Sequence, residues 1–226
     1  PLATTPASEV LPPRPMALPN GAPVRALFVS SASLVLREDG ALVSWGANPP
    51  LARVSSLNPD PNPMPIAIAD VSSVDLTPTS ACATVGGVGY CWGSVIGGST
   101  PLDYALPEPI VAPEPLVQVA TTTGRKNTDG TVQPQRWCGV GASGAVYCWG
   151  YNASGQAGDG TKRHAYEAVE VQGLPTTASQ VKTMPDSTCA LLTNGKVYCW
   201  GANYFGQLGN GAFRVPNIVP KEVLLP

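Results

Sequence analysis

Val146-Tyr-Cys-Trp-Gly-Tyr-Asn-Ala-Ser-Gly-Gln-Ala-Gly-Asp-Gly160 and Val197-Tyr-Cys-Trp-Gly-Ala-Asn-Tyr-Phe-Gly-Gln-Leu-Gly-Asn-Gly211 state one phrase twice within the same chain. Its opening recurs upstream as Gly40-Ala-Leu-Val-Ser-Trp-Gly46 and Gly87-Val-Gly-Tyr-Cys-Trp-Gly93. The tryptophans of the four phrases, Trp45, Trp92, Trp149 and Trp200, are spaced by 47, 57 and 51 residues. A repeat near this length predicts a propeller or a related array, because one such unit cannot bury both of its faces alone. Ahead of each Trp-Gly lies an apolar run that ends in a tight turn: Ser33-Leu-Val-Leu36, Cys82-Ala-Thr-Val85, Trp137-Cys-Gly-Val140 and Cys189-Ala-Leu-Leu192. An extended segment precedes that run, as at residues 26–29 and 116–119. Another follows a loop after Trp-Gly, at residues 64–68, 109–111, 168–171 and 221–225. Four strands per repeat make a propeller blade. The expected class is therefore all-β: a β-propeller of four-stranded antiparallel blades over residues 14–226, four repeats being visible as a full or partial ring. Residues 1–13 match no repeat and read as a linker or extended tail.

Composition agrees with short strands and many turns. The 226 residues include 24 Gly and 25 Pro, and only 12% are charged, about half the ~25% usual for soluble domains. A long helical bundle is excluded by that density of turn formers. Disorder is excluded by 43% hydrophobic residues against a net charge of −2. The absence of a basic tract argues against nucleic acid and against an anionic membrane surface as partners. The long uncharged run between Asp75 and Asp103 is rich in Gly, Ser, Thr and Pro and would not span a bilayer. With neither an initiator Met nor a signal segment, the chain is expected to begin at a processed or truncated end.

The hairpin turns place the cysteines. Setting Cys189 opposite Cys199 leaves Thr193-Asn194-Gly195 as a three-residue loop, whose third position favours a left-handed glycine. Ala142-Ser143-Gly144 and Glu38-Asp39-Gly40 repeat that loop. In the second unit Cys82 opposite Cys91 leaves only Gly86-Gly87, so the turn shortens while the cysteines stay opposed. All six cysteines thus form three cross-strand pairs, Cys82–Cys91, Cys138–Cys148 and Cys189–Cys199, and the first unit has Leu34 and Ser44 instead. Free buried thiols are the competing reading. Zinc is disfavoured by a single His and the lack of Cys-x-x-Cys. Paired cysteines imply an oxidising compartment and hence a secreted, extracellular, periplasmic or cell-surface protein.

The run Val197 to Gly211, followed by Val215-Pro216 and Val219-Pro220, resembles the repeat of the regulator of chromosome condensation (RCC1) family, as does Val146 to Thr161. The two earlier units keep Trp-Gly and lose Gly-Gln-x-Gly. The hairpin cysteines are similar to those of a secreted bacterial type of this repeat. The resemblance implies a propeller that is typically seven-bladed, so four repeats are expected to be part of a larger ring rather than a closed four-bladed one or half of a two-chain ring. Arg14-Pro-Met-Ala-Leu18-Pro is expected to be the closing strand of an earlier repeat. The resemblance also implies loops on one face that hold protein partners, in this family including a small GTPase and an extracellular hydrolase.

Little in the sequence points to chemistry, and no enzyme, cofactor or metal is expected. His164 lies in the polar run Thr161-Lys-Arg-His-Ala-Tyr166 and reads as a solvated loop residue. Asn58-Pro-Asp60-Pro-Asn62 starts like a calcium loop but lacks its glycine and glutamate, so an extended Pro-rich lead-in is expected. Asn152-Ala-Ser154 is a formal glycosylation sequon inside the repeat. Gln156 and Gln207 are expected to bond loop backbone, and the tryptophans to fill space between blades. The third repeat carries an insertion, residues 123–136, with Arg125, Lys126 and Arg136, three of the 13 basic residues. These are the candidate partner-binding residues. The function expected is a non-catalytic secreted protein-binding or scaffolding propeller. The alternative is a structural accessory subunit of a cell-surface or extracellular assembly. Its partners are a protein or larger assembly, including further blades from the same or another chain.

Overall fold

The computed structural model describes residues 12, 14–97, 100–126, 130 and 132–224, and every regular element among them is a strand. Four antiparallel sheets follow one another along the chain. Blade 1 is β1 (Val24–Val29), β2 (Ala32–Arg37), β3 (Leu42–Gly46) and β4 (Asp60–Pro65); blade 2 is β5 (Val71–Leu76), β6 (Ser80–Val85), β7 (Val88–Gly97) and β8 (Thr100–Pro109). Blade 3 is β9 (Leu116–Thr121), β12 (Arg136–Gly141), β13 (Val146–Gly150) and β14 (Ala165–Glu170), with a small hairpin, β10 (Arg125–Lys126) and β11 (Val132–Gln133), between its first two strands. Blade 4 is β15 (Ala178–Thr183), β16 (Ser187–Leu192), β17 (Val197–Gly201) and β18 (Asn217–Glu222). The first strands of successive blades lie against one another, so they line the axis and each fourth strand forms the rim. The tail assigned to residues 1–13 lies, apart from Pro12, outside the described residues.

The Trp-Gly pair has a backbone reason. The glycine, at φ 108°, 103°, 102° and 103° (Gly46, Gly93, Gly150 and Gly201), ends the third strand of blades 1, 3 and 4 and lies within the longer β7 of blade 2. There the pairing onto the rim strand shifts register. A Cβ on Gly93 would lie 2.4 Å from the Thr79 carbonyl oxygen, and one on Gly150 2.5 Å from that of Gln135. Backbone atoms of the neighbouring strand cannot yield to it, so the residue after each of these four Trp residues has no side chain.

Cys82, Cys138 and Cys189 stand directly opposite Cys91, Cys148 and Cys199. The three pairs are joined at S–S distances of 2.09, 2.09 and 2.08 Å. Leu34 faces Ser44 at the same place in blade 1. The Cys138–Cys148 bridge is buried in an apolar cluster with Ala190, Leu192 and Trp200 of blade 4, so it also serves as packing between blades. Replacing Cys189 and Cys199 together by Ala should lower stability by roughly 2–3 kcal/mol without unfolding the chain. Denaturant titration of oxidised protein checks this, and an unfolded double variant would refute it.

The rim strands begin earlier than the sequence suggests. β4 ends at Pro65 rather than running over 64–68, and β8, β14 and β18 start ahead of residues 109, 168 and 221. The apolar residues that prompted the later placement sit where the chain leaves the rim and turns under the blade. There Ile66, Ile110, Val171 and Val223 donate their N–H groups to Leu42, Gly89, Val146 and Val197 at 3.0, 2.8, 2.8 and 2.9 Å. A rim strand pairs along one edge only, so its apolar plug marks its exit rather than its middle. The segment from Arg14 to Pro19 is not a strand. A rim strand needs the Trp-Gly strand of its own hairpin, and no described hairpin lies upstream of it.

Apolar clusters fill the junctions between blades. One joins Leu34 and Leu42 of blade 1 to Ala81, Ala83 and Trp92 of blade 2, and the other joins blades 3 and 4. Among the described residues no strand pairing, hydrogen bond or shared apolar cluster links blade 4 back to blade 1. The four blades form an open arc.

Candidate partner-binding face

Antiparallel order sends the first and third connections of every blade to one face of the arc and the hairpin turns to the other. Blades 1, 2 and 4 make the first crossing in two or three residues, while blade 3 uses residues 122–135. The third connections, at 47–59, 151–164 and 202–216, are the long Gly-rich loops. The four longest connections between blade strands among the described residues are therefore on one face.

Inside those loops the residues of the repeat phrase act as scaffold. Asn152 is fully buried; its Oδ1 accepts from the Ala157 N–H at 2.7 Å, and its Nδ2 donates to the Arg163 carbonyl at 2.9 Å. Asn203 repeats this with Leu208 at 3.1 Å and Ala212 at 2.9 Å. Gln156 Oε1 accepts from the Ser154 N–H at 2.7 Å, and Gln207 Oε1 from that of Phe205 at 2.9 Å. The sequon asparagine is thus closed to a glycan. His164 is exposed, stacks on Tyr151 at 5.0 Å between centroids, and its Nδ1 accepts from the Asn152 N–H at 3.0 Å. The Asp60 carboxylate pairs with Arg53 at 2.7 Å and accepts from Ser55 Oγ and the Asn62 N–H at 2.7 and 3.0 Å. Those bonds hold it well below the usual carboxylate range despite burial. The Pro-rich lead-in is β4 itself.

The insertion does not simply project into solvent. Its hairpin folds across the junction onto the 184–186 turn of blade 4. Arg125 Nη2 donates to Asp186 Oδ2 at 2.8 Å, and Gln133 Nε2 donates to the Pro185 carbonyl at 2.7 Å. Arg136 is 1% exposed. Its guanidinium donates to the carbonyls of Met184, Ser187 and Gln156 and to Thr188 Oγ1. Desolvation pushes its pKa down to about 9, which leaves it a cation at neutral pH. The expectation that Arg136 meets a partner is corrected: it clamps blade 3 to blade 4. A lone Arg in a polar stretch reads as solvated unless the carbonyls that surround it are known, and these come from residues 20, 48 and 51 positions away.

Arg125 keeps 47% of its side chain exposed while paired to Asp186, and Lys126 is the neighbouring residue of β10. The same face carries exposed Lys162, Arg163 and Arg214 on the long loops, which sequence reading did not single out. Their signal was present in part, since Arg163 and Arg214 each follow the Trp of their repeat by 14 residues. The opposite face carries Glu38, Asp39, Asp70 and Glu114, and there Lys196 is paired with Glu222 at 2.8 Å. A chain of net charge −2 is thus basic where its loops are.

Residues 186–207 match a family model for the regulator of chromosome condensation (RCC1) repeat. The chain is 30% identical over 126 residues to the ultraviolet-B receptor UVR8 of Arabidopsis thaliana, covering 54% of this chain and 27% of that protein. It is 37% identical over 81 residues to the human E3 ubiquitin-protein ligase HERC2, covering 34% of this chain and 2% of the relative. Among solved structures, human WBSCR16 superposes with a TM-score of 0.74 at 19% identity, over 92% of this chain and 55% of the other. Yeast RCC1 (Prp20), solved bound to Kap60, superposes with a TM-score of 0.68 at 21% identity, over 90% of this chain and 49% of the other. The chain spans about half the length of these structures and little more than a quarter of UVR8.

Proposed function

We propose that this chain, an array of RCC1-type repeats, is a secreted, non-catalytic protein-binding propeller whose loop face holds an acidic surface of its partner. The observation that carries the reading is the gathering of Arg125, Lys126, Lys162, Arg163 and Arg214 on the face that bears the four longest connections among the described residues. Loops on a rigid scaffold are where recognition is placed at least cost to folding. Charges displayed on such a face steer association and select for opposite charge. Proteins of this fold serve as binders: Prp20 from yeast has been solved with Kap60 and studied for its binding to Gsp1p and histones. The disulfides suit an oxidising compartment, and no described helix is long and apolar enough to cross a membrane.

The test compares two sets of charge reversals in immobilised protein exposed to the native extracellular fluid. Reversing Arg125, Lys162, Arg163 and Arg214 to Glu should release partners that the unmodified chain retains. Reversing Glu38 and Asp39 to Lys should retain them. Retention should fall as salt rises toward about 1 M. Partners lost equally from both variants, or from neither, would remove the loop face from the interface.

A further inference from the structure

The rim strand of every blade is an edge, since it pairs with the third strand and turns its other side outward. The side that each backbone group takes follows from the exits. Ile66, Ile110, Val171 and Val223 all donate their N–H groups inward, to the third strand of their own blade. Backbone groups alternate sides along a paired strand, so the residue three before each of these turns its backbone nitrogen outward. In blades 1, 2 and 4 that residue is Pro63, Pro107 and Pro220, which carries no N–H. In blade 3 it is Ala168, and β14 contains no proline at all. The Ala168 N–H has no acceptor among the described residues. Proline on an edge blunts it against the addition of another strand. Three rims are blunted at one matching position, and the rim of blade 3 is left open.

That open edge borders an apolar groove. At the junctions of blades 1 and 2 and of blades 3 and 4, a loop of the preceding blade covers the Trp-Gly strand. Trp92 and Trp200 are buried there and donate to the Pro50 and Gln156 carbonyls at 3.0 and 2.8 Å. Blade 2 supplies no such loop to blade 3, because β7 and β8 stay paired beyond Gly93, as far as Gly97 and Thr100. Trp149 is accordingly half-buried, and its indole N–H has no acceptor among the described residues. An open groove of about 520 Å³ remains, lined by Ile110, Val111, Pro113, Trp149 and Tyr166 and reaching Ala168. Val111 is 91% exposed and Tyr166 93%. Both blades that border the groove are present in the arc.

The other side of β14 is basic. Lys162 and Arg163 line a second hollow there, of about 690 Å³, and neither has an ion-pair partner among the described residues. Of the acids in that hollow, Asp159 already accepts from Asn152 Nδ2 and Thr161 Oγ1 at 3.2 and 2.9 Å, which leaves Glu167.

We propose that β14 is a strand-addition site for an extended, proline-free segment of a partner protein in which large apolar and acidic side chains alternate. The added strand pairs with the outward N–H and C=O of Ala168 and the N–H of Glu170. Its side chains fall alternately on the two sides of the sheet. Apolar ones enter the Trp149 groove, and acidic ones meet Lys162 and Arg163. Main-chain bonds then supply affinity, and the two hollows supply selectivity. The site rests on the loop-face reading for the sign of the partner's charge and adds to it a backbone edge.

The probe is an acetylated, amidated eight-residue peptide in which Val and Glu alternate, titrated into isotope-labelled protein. Binding should saturate with a Kd below about 1 mM and shift the amide resonances of Ala168 and Glu170. A fully N-methylated peptide should not bind, and one with Lys in place of Glu should bind at least about tenfold more weakly. Ala168→Pro gives blade 3 the proline that the other rims carry and should weaken binding at least about tenfold at an unchanged thermal midpoint. Val111→Asp charges the groove and leaves the edge alone; it should weaken binding similarly, and it stands in should Ala168→Pro fail to fold. Partners retained alike by the parent chain and by Ala168→Pro, with no binding of the peptide, would sink strand addition and leave the loop-face reading standing. The proposal is also overturned by an N-methylated peptide that binds as well as its parent, or by folded Ala168→Pro and Val111→Asp chains that bind undiminished.

Discussion

Arg136→Ala should lose about 3–5 kcal/mol of stability, the range seen when one side of a buried charged network is removed. The guanidinium is fully buried, and no carboxylate oxygen lies within ion-pair distance among the described residues. What stabilises it is a ring of dipoles: the Met184, Ser187 and Gln156 carbonyls and the Thr188 hydroxyl. Truncation leaves those carbonyls in a dry space that Ala cannot fill, at about 1–3 kcal/mol for each one left without a donor. Arg136→Lys should recover only part of the loss, since a single ammonium cannot span the positions that the planar fork reaches. Urea unfolding followed by tryptophan fluorescence measures both variants. A midpoint for Arg136→Ala equal to that of the parent chain would show that the clamp is dispensable. For the same reason, removing residues 124–134 should lower the midpoint, because Arg125 and Gln133 tie the insertion to blade 4.

Trp200→Ala should cost about 3–5 kcal/mol, the usual penalty for emptying a large aromatic site in a packed interior. Its ring is fully buried against Cys138, Cys148 and Ala157, and its indole N–H satisfies the Gln156 carbonyl. Trp200→Phe keeps most of the volume and loses that bond, so its cost should fall to about 1–2 kcal/mol. Trp45→Ala provides the contrast. Trp45 has the same place in its repeat but is only half-buried, and in dilute protein its removal should cost well under half as much. Equal losses at Trp45 and Trp200 in dilute chemical denaturation would contradict the open arc.

The sequence alone determined the blade. Trp-Gly at a fixed phase, the left-handed glycine of the hairpin turn and the opposed cysteines are local devices, each acting within about fifteen residues. The hairpin around Cys189 and Cys199 could be read to single-residue register, because shortening the turn in the second repeat left its cysteines in step. The roles of Gln156 and Gln207 were legible for the same reason, since each bonds a loop N–H two positions away.

Only the tertiary structure decided what passes between blades. Whether a basic residue of the insertion faces water or a neighbour depends on turns in another repeat. Arg125 and Arg136 look alike in sequence, but Asp186 leaves the first half exposed and the Met184 and Ser187 carbonyls enclose the second. The rim strands were misplaced by a few residues because apolar residues such as Ile66 and Val171 are buried just past the strand ends, a burial with no local period. The same holds for Trp45 and Trp200, or Gln207 and Gln156: identical residues at matching positions of the repeat that differ in burial. Repetition specifies the unit through short-range geometry, whereas burial is set by neighbours far along the chain.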